Sequence, residues 1–114
     1  MKVSFKLGGS LDIKDYISFL GPEVFPIFLF HGVIVDNDEP VRNYNRKHIG
    51  AEYFETILRS LVEAGGHPVS MDDILKAKVN ASILPKGAFA VTFDDGFENN
   101  YSVALPILEQ LKVP

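Results

Sequence analysis

The chain has 114 residues, 46% of them hydrophobic and 23% charged, with a formal net charge of -4 and no cysteine. That length suits one small domain with a modest core, and the composition is that of a folded chain. The acidic balance, with no cluster of Lys or Arg, argues against nucleic acid or an anionic membrane surface as the main partner. Without cysteine there are no disulfides and no thiolate metal ligands. The N-terminus MKVSFKLGGSLDIKDY has no apolar stretch of signal-peptide length. The longest apolar run, VFPIFLFHGVIV, falls short of the ~18 residues of a spanning helix and carries a Pro, a His and a Gly. No export address or membrane span is visible, and the location of the protein is left open.

In chain order, SLDIKDYISFLGP spaces Ile13, Tyr16, Ile17 and Leu20 on one helical face, with Ser10 as a candidate cap and Gly21-Pro22 as a stop. FPIFLFHGVIV is apolar at successive positions and rich in branched and aromatic residues, which predicts a strand buried on both sides. DNDEPVRNYNRKHIG reads as a long surface loop. AEYFETILRSLVEAGG carries Tyr53, Phe54, Ile57, Leu58, Leu61 and Val62 in a helical stripe that ends at Gly65-Gly66. A short strand, HPVS, follows, and Ser70 with Asp73 forms a capping box for a helix through MDDILKA. LPKGAFAVTF supplies a turn and a third strand, and NNYSVALPILEQLK a last helix that Pro106 kinks. Strands alternating with helices predict βα units and a parallel sheet.

The stretch VTFDDGFENN then sets two carboxylates, Asp94 and Asp95, where the third strand runs out. Adjacent like charges repel, so packing alone gives no reason for them. Asp-Asp-Gly is common turn chemistry. Yet in parallel α/β folds the carboxyl ends of strands are where ligands bind. Consecutive strand residues point in opposite directions, so the two acids are suited to different tasks. One can ligate a cation, which relieves the repulsion, while the other faces a reacting group. A haloacid-dehalogenase-type phosphotransferase also puts Asp at a strand end but separates its two acids by one residue, unlike this chain.

TFDDG, Thr92 to Gly96, is similar to the first motif of the NodB-homology polysaccharide deacetylases, carbohydrate esterase family 4. PIFLFHGVIVDND, YFETILRSLVEAGGHPVSMDDIL and LPKGAFAVTFDDGFENNYSVALPILEQLKVP follow that family's order and spacing from about Phe25 onward. The resemblance implies an α/β fold that is the front part of a (β/α) barrel, incomplete. Residues 1–22 would be an N-terminal helical extension and residues 23–114 a partial deacetylase domain. It also implies that Asp94 is the general base and Asp95 a ligand of a divalent metal, zinc by the family's habit. The reaction would remove N-acetyl or O-acetyl groups from an acetylated polysaccharide or oligosaccharide.

The family completes its metal site with a histidine pair spaced H-x-x-x-H, and no such pair occurs among His31, His48 and His67. The later motifs, which supply an arginine, a further Asp and an acid histidine, are also absent. The resemblance therefore implies a chain truncated before the histidine pair. A non-catalytic α/β module that contacts carbohydrate or protein is the alternative. His31, near the end of the first strand, is read as a core histidine bonded to backbone, or else as a contact to the metal ligand or substrate. His48 and His67 are read as solvated loop residues, and the acidic DNDE as a solvated turn and not a calcium loop.

Overall fold

A computed structural model describes residues 4–6, 10–21, 24–35 and 47–114. A short antiparallel pair, β1 (Ser4–Lys6) with β2 (Ser10–Asp12), precedes α1 (Ile13–Phe19). The pair was not anticipated, although Gly8-Gly9 between its strands is a hairpin signal in the sequence. The helix starts later than Ser10: Asp12 caps it, and the Asp12 and Asp15 side chains each accept from the other's backbone N–H. Aspartate three residues before a second acid satisfies two orphan amides, which Ser10 is too far upstream to do.

The run expected to form one strand forms two. β3 (Ile27–Phe30) and β4 (Gly32–Ile34) are separated at His31 and pair with different partners. β4 lies parallel to β5 (His48–Gly50), a strand inside the segment read as loop; residues 36–46 of that segment, with the DNDE acids, lie outside the described residues. α2 (Ala51–Glu63) follows. Next come β6 (His67–Pro68), α3 (Met71–Val79) and β7 (Ala88–Phe93). The central sheet has the order β3-β7-β6, all parallel, with Phe30 opposite Phe93 at its carboxyl edge.

One face of that sheet carries most of the core. Phe28, Phe30, Phe89, Val91 and Phe93 pack with Phe54, Ile57, Leu58 and Leu61 of α2 and with Ile13 and Ile17 of α1. Phe54, Leu58 and Leu61 are fully buried, as their helical spacing predicts. Each contributes roughly 1.5–3 kcal/mol relative to exposure. Phe54 meets Phe30 edge-on at 4.9 Å between centroids, an arrangement that suits the ring quadrupoles. Tyr53, included in the same predicted stripe, is instead exposed.

The opposite face is thinner. Ala88 and Ala90 pack with Val69 and Leu84 and against Ile74 and Ala77 of α3, but Ile27 and Leu29 of β3 are 46% and 53% exposed. β3 is thus not buried on both sides.

The last helix is not a simple kinked one. A π-helical turn (Asn100–Ala104) runs into α4 (Leu105–Leu111), and the Leu105 N–H reaches back to the Asn100 carbonyl. Pro106 has no N–H to donate and its ring crowds the preceding turn, so the widened turn falls just ahead of it.

Candidate active site at the carboxyl edge of the sheet

Asp94 continues the β3–β7 ladder by one bond, its N–H donating to the Phe30 carbonyl at 2.9 Å. The chain then turns through two left-handed residues, Asp95 (φ 73°) and Gly96 (φ 59°). Glycine takes that conformation freely, and Asp is among the few other residues that tolerate it. The turn separates the two carboxylates. Asp94 is exposed, and among the described residues its carboxylate has no hydrogen bond or ion pair. The Asp95 Oδ2, in contrast, lies 3.1 Å from Lys47 Nζ and 4.0 Å from His31 Nε2.

His31 follows β3 directly, so the parallel pairing of β3 with β7 brings it to the same edge as Asp94 and Asp95. It is not a buried core histidine, since its side chain is 34% exposed and its ring approaches a carboxylate. Its backbone is held from two sides. The His31 carbonyl accepts from Asn100 Nδ2 at 2.6 Å, the Gly32 N–H donates to the Lys47 carbonyl at 3.0 Å, and the Val33 N–H donates to Asn99 Oδ1 at 3.1 Å. Three consecutive residues at the strand break are therefore tied to the loop before β5 and to the start of the last helix. Such bonds contribute about 1 kcal/mol each, and leaving a part-buried group unpaired costs more.

His48 is not the solvated loop residue that the sequence predicted. It sits in β5, half-buried, with its ring edge-on to Phe97 at 4.6 Å. That ring occupies the space where any side chain at position 32 would begin, which is why Gly32 stands there. His67 is exposed, as expected, at the start of β6.

Three side chains of this edge escaped the reading of the sequence. Lys47 and the two asparagines Asn99 and Asn100 are partners of residues 48, 66 and 69 positions away in the chain. Only the run FENN, immediately after the acids, hinted that polar groups continue there.

A structural or catalytic zinc takes about three protein ligands or more. Asp95 and His31 offer one carboxylate and one imidazole, and an ammonium already faces the carboxylate oxygen. Among the described residues no group of three or more His, Cys, Asp or Glu comes together. These residues do not by themselves make a zinc site.

No protein-family model matches the chain. It is similar to the poly-beta-1,6-N-acetyl-D-glucosamine N-deacetylase of Escherichia coli strain K12, 39% identical over 54 residues. That match covers 47% of this chain and 8% of the relative. Among solved structures it superposes on the de-N-acetylase from Aggregatibacter actinomycetemcomitans with a TM-score of 0.70 and 29% identity. That superposition covers 79% of this chain and 35% of the other. The Streptococcus pyogenes deacetylase PplD, solved in complex with acetate, gives a TM-score of 0.68 and 27% identity over 81% of this chain and 40% of that one. The resemblance to the NodB-type polysaccharide deacetylases is borne out for this part of their length, and the chain has the α/β fold of that part. Among the described residues no helix is long and apolar enough to cross a membrane.

Proposed function

We propose that the protein is a metal-dependent hydrolase that removes N-acetyl, or O-acetyl, groups from a polysaccharide. In the N-acetyl case it hydrolyses a carbon–nitrogen bond that is not a peptide bond. The observation that carries this reading is the Asp94–Asp95 pair at the carboxyl end of β7, beside His31 at the end of the adjacent parallel strand. It stands in a fold shared with two solved deacetylases.

Asp94 is the general base. Its carboxylate is exposed and engaged with no other described side chain, so a lone pair is available to a water at the sheet edge. Proton removal from an attacking water by a positioned carboxylate contributes roughly 10²- to 10⁴-fold. The water oxygen bonds to the acetyl carbon, the C–N bond breaks, acetate leaves, and the sugar keeps the amine with the proton returned to it.

Asp95 is the metal ligand in this reading, and His31 a contact of that carboxylate or of the substrate. A divalent ion, zinc first among the candidates, would supply a more acidic water and a polarised carbonyl if further ligands joined Asp95 to hold it. The reading requires ligands in addition to those two residues.

The substrate to try first is the polymer in the relative's name, poly-β-1,6-N-acetylglucosamine. The test is acetate release from its oligomers by the chain with added Zn²⁺. Release that Asp94→Asn abolishes, while oligomer binding persists, is the expected result. The second reading, a non-catalytic carbohydrate- or protein-binding module, is favoured by the Lys47 ammonium on Asp95. Oligomer binding that Asp94→Asn and Asp95→Asn leave unchanged, with no acetate release at any metal concentration, would favour it over the hydrolase.

A further inference from the structure

We propose that Asn99 and Asn100 are positioning residues, a clamp that fastens the strand break at His31 to the far end of the loop carrying Asp94 and Asp95. By doing so they keep the His31 ring against the Asp95 carboxylate. The inference rests on the reading of this edge as a deacetylase site and adds what holds its parts in place.

Three observations carry it. The loop 94–100 is fastened to β3 and β4 at both of its ends. At the start, the Asp94 N–H donates to the Phe30 carbonyl at 2.9 Å. At the finish, Asn100 Nδ2 donates to the His31 carbonyl at 2.6 Å and Asn99 Oδ1 accepts from the Val33 N–H at 3.1 Å. Secondly, Asn is a favoured capping residue, yet Asn99, just ahead of the π-helical turn, makes no side-chain bond to that turn. Its amide is spent on the break instead. Finally, His31 Nε2 lies 4.0 Å from Asp95 Oδ2, so the residue that Asn100 holds by its backbone meets, by its ring, the loop that the two amides close.

β3 and β4 pair with different strands, so the peptide groups between them have no common ladder to continue in. Part-buried backbone groups need partners, and a side-chain amide offers a donor and an acceptor from one planar group. The break uses both kinds: Asn100 gives its NH₂ and Asn99 its oxygen. Burial does not fix the approach of His31 to Asp95, because the two side chains are 34% and 44% exposed. The backbone beneath them has to do so. A misplacement of ~1 Å at a reacting group can cost roughly 10²-fold in rate, which gives a clamp at this edge something to protect. Without the two amides the far end of the loop loses its bonds to the break, while the bond at Asp94 remains.

The test is NMR of the full, metal-free chain, following the nuclear Overhauser cross-peaks between the His31 ring protons and the Asp95 β protons. Amide exchange at Val33 and the urea midpoint are measured alongside. The unaltered chain should show the cross-peaks. Asn100→Ala and Asn100→Asp should lose them, since neither offers a donor to the His31 carbonyl. Asn99→Ala should weaken them and speed Val33 exchange roughly fivefold. Asn99→Asp keeps the acceptor and should retain both the cross-peaks and the slow exchange. Aspartate adds the same charge at either position, so tolerance at 99 with loss at 100 isolates the polarity of the two bonds. If the Asn100 variants do not fold, the contrast between Asn99→Ala and Asn99→Asp decides. Cross-peaks that persist in every variant, with only the urea midpoint lowered, would mark a merely structural pair and overturn the clamp, while Asp94 can still be the base. If the cross-peaks respond but Asp94→Asn releases acetate as fast as the unaltered chain, the reading of this edge fails, and the positioning role fails with it.

Discussion

The chain contains two pairs of adjacent aspartates, and they do different things. Asp72-Asp73 opens α3, where the Asp73 side chain accepts from the Ser70 N–H at 2.9 Å and the Ser70 hydroxyl accepts from the Asp73 N–H at 3.0 Å. The Asp73 N–H and one of its carboxylate oxygens are thereby spent on the helix start. Asp94-Asp95 follows a strand, caps no helix, and turns through a left-handed residue toward a lysine 48 positions away. In one place the dipeptide opens a helix; in the other, Asp94 is left without a side-chain partner among the described residues and Asp95 faces Lys47. What separates them is whether the local backbone uses up the carboxylates.

The largest effect that tests this contrast is on rate. If the protein is a deacetylase, Asp94→Asn should lose at least about 10²-fold in rate, with metal affinity and melting temperature nearly unchanged, because the lost group serves no fold contact among the described residues. Asp95→Asn should lose metal affinity first, and excess metal should restore its rate better than that of Asp94→Asn. Equal failure of rescue in the two variants would show that the roles are assigned wrongly.

A smaller effect, on stability alone, is expected at the other pair. Ser70→Ala removes the cap of α3 and should cost about 1 kcal/mol in a urea titration while leaving acetate release as it was. A loss of rate comparable to that of Asp94→Asn would mean that α3 and the sheet edge are not independent. His31→Gln falls between the two regions. The ring is a third exposed and approaches Asp95, while its backbone carbonyl accepts from Asn100 and the next residue, Gly32, donates to the Lys47 carbonyl. The substitution should therefore change stability little and reduce metal affinity or rate by a few fold. A fall in melting temperature with turnover unchanged would restore the core-histidine reading.

Which parts of this were legible in the sequence follows the range of the interactions. The Ser70/Asp73 box, the stripe Phe54-Ile57-Leu58-Leu61 and the parallel βα order are written within a few residues, and the structure has all of them. The Asp94-Asp95-Gly96 turn at a strand end was equally local. The break at His31 was not, because the reason for it is β5, a three-residue strand too short to show any period. Nor were Lys47, Asn99 and Asn100, whose partners lie 48, 66 and 69 residues away. Apolar composition also misled at β3. A run that is apolar at every position promises two covered faces, yet helices and aromatic side chains cover only one of them among the described residues.

The smallest predicted effect is the pH dependence of the capping pair. The backbone N–H of Ser70, followed by its hydroxyl, holds the Asp73 carboxyl below its ordinary value of 3.8. Lys76 and His67 add to this, while desolvation opposes it. A depressed value in the folded chain means that the ionised form is favoured by folding. The stabilisation is therefore fully present above about pH 4 and is lost as the pH falls from there through the folded value. Asp73 is fully exposed, so water and salt screen most of the charge contribution, and the effect should be slight. Urea midpoints of the unaltered chain and Asp73→Asn, compared from pH 7 to pH 2.5, should converge at the acidic end. In a Ser70→Ala background the gap at pH 7 should narrow only in part, because the hydroxyl is lost while the backbone N–H, the larger cause, remains. A gap that stays constant across the range would show that Asp73 caps α3 without its charge, and that the contrast with Asp94-Asp95 is one of geometry alone.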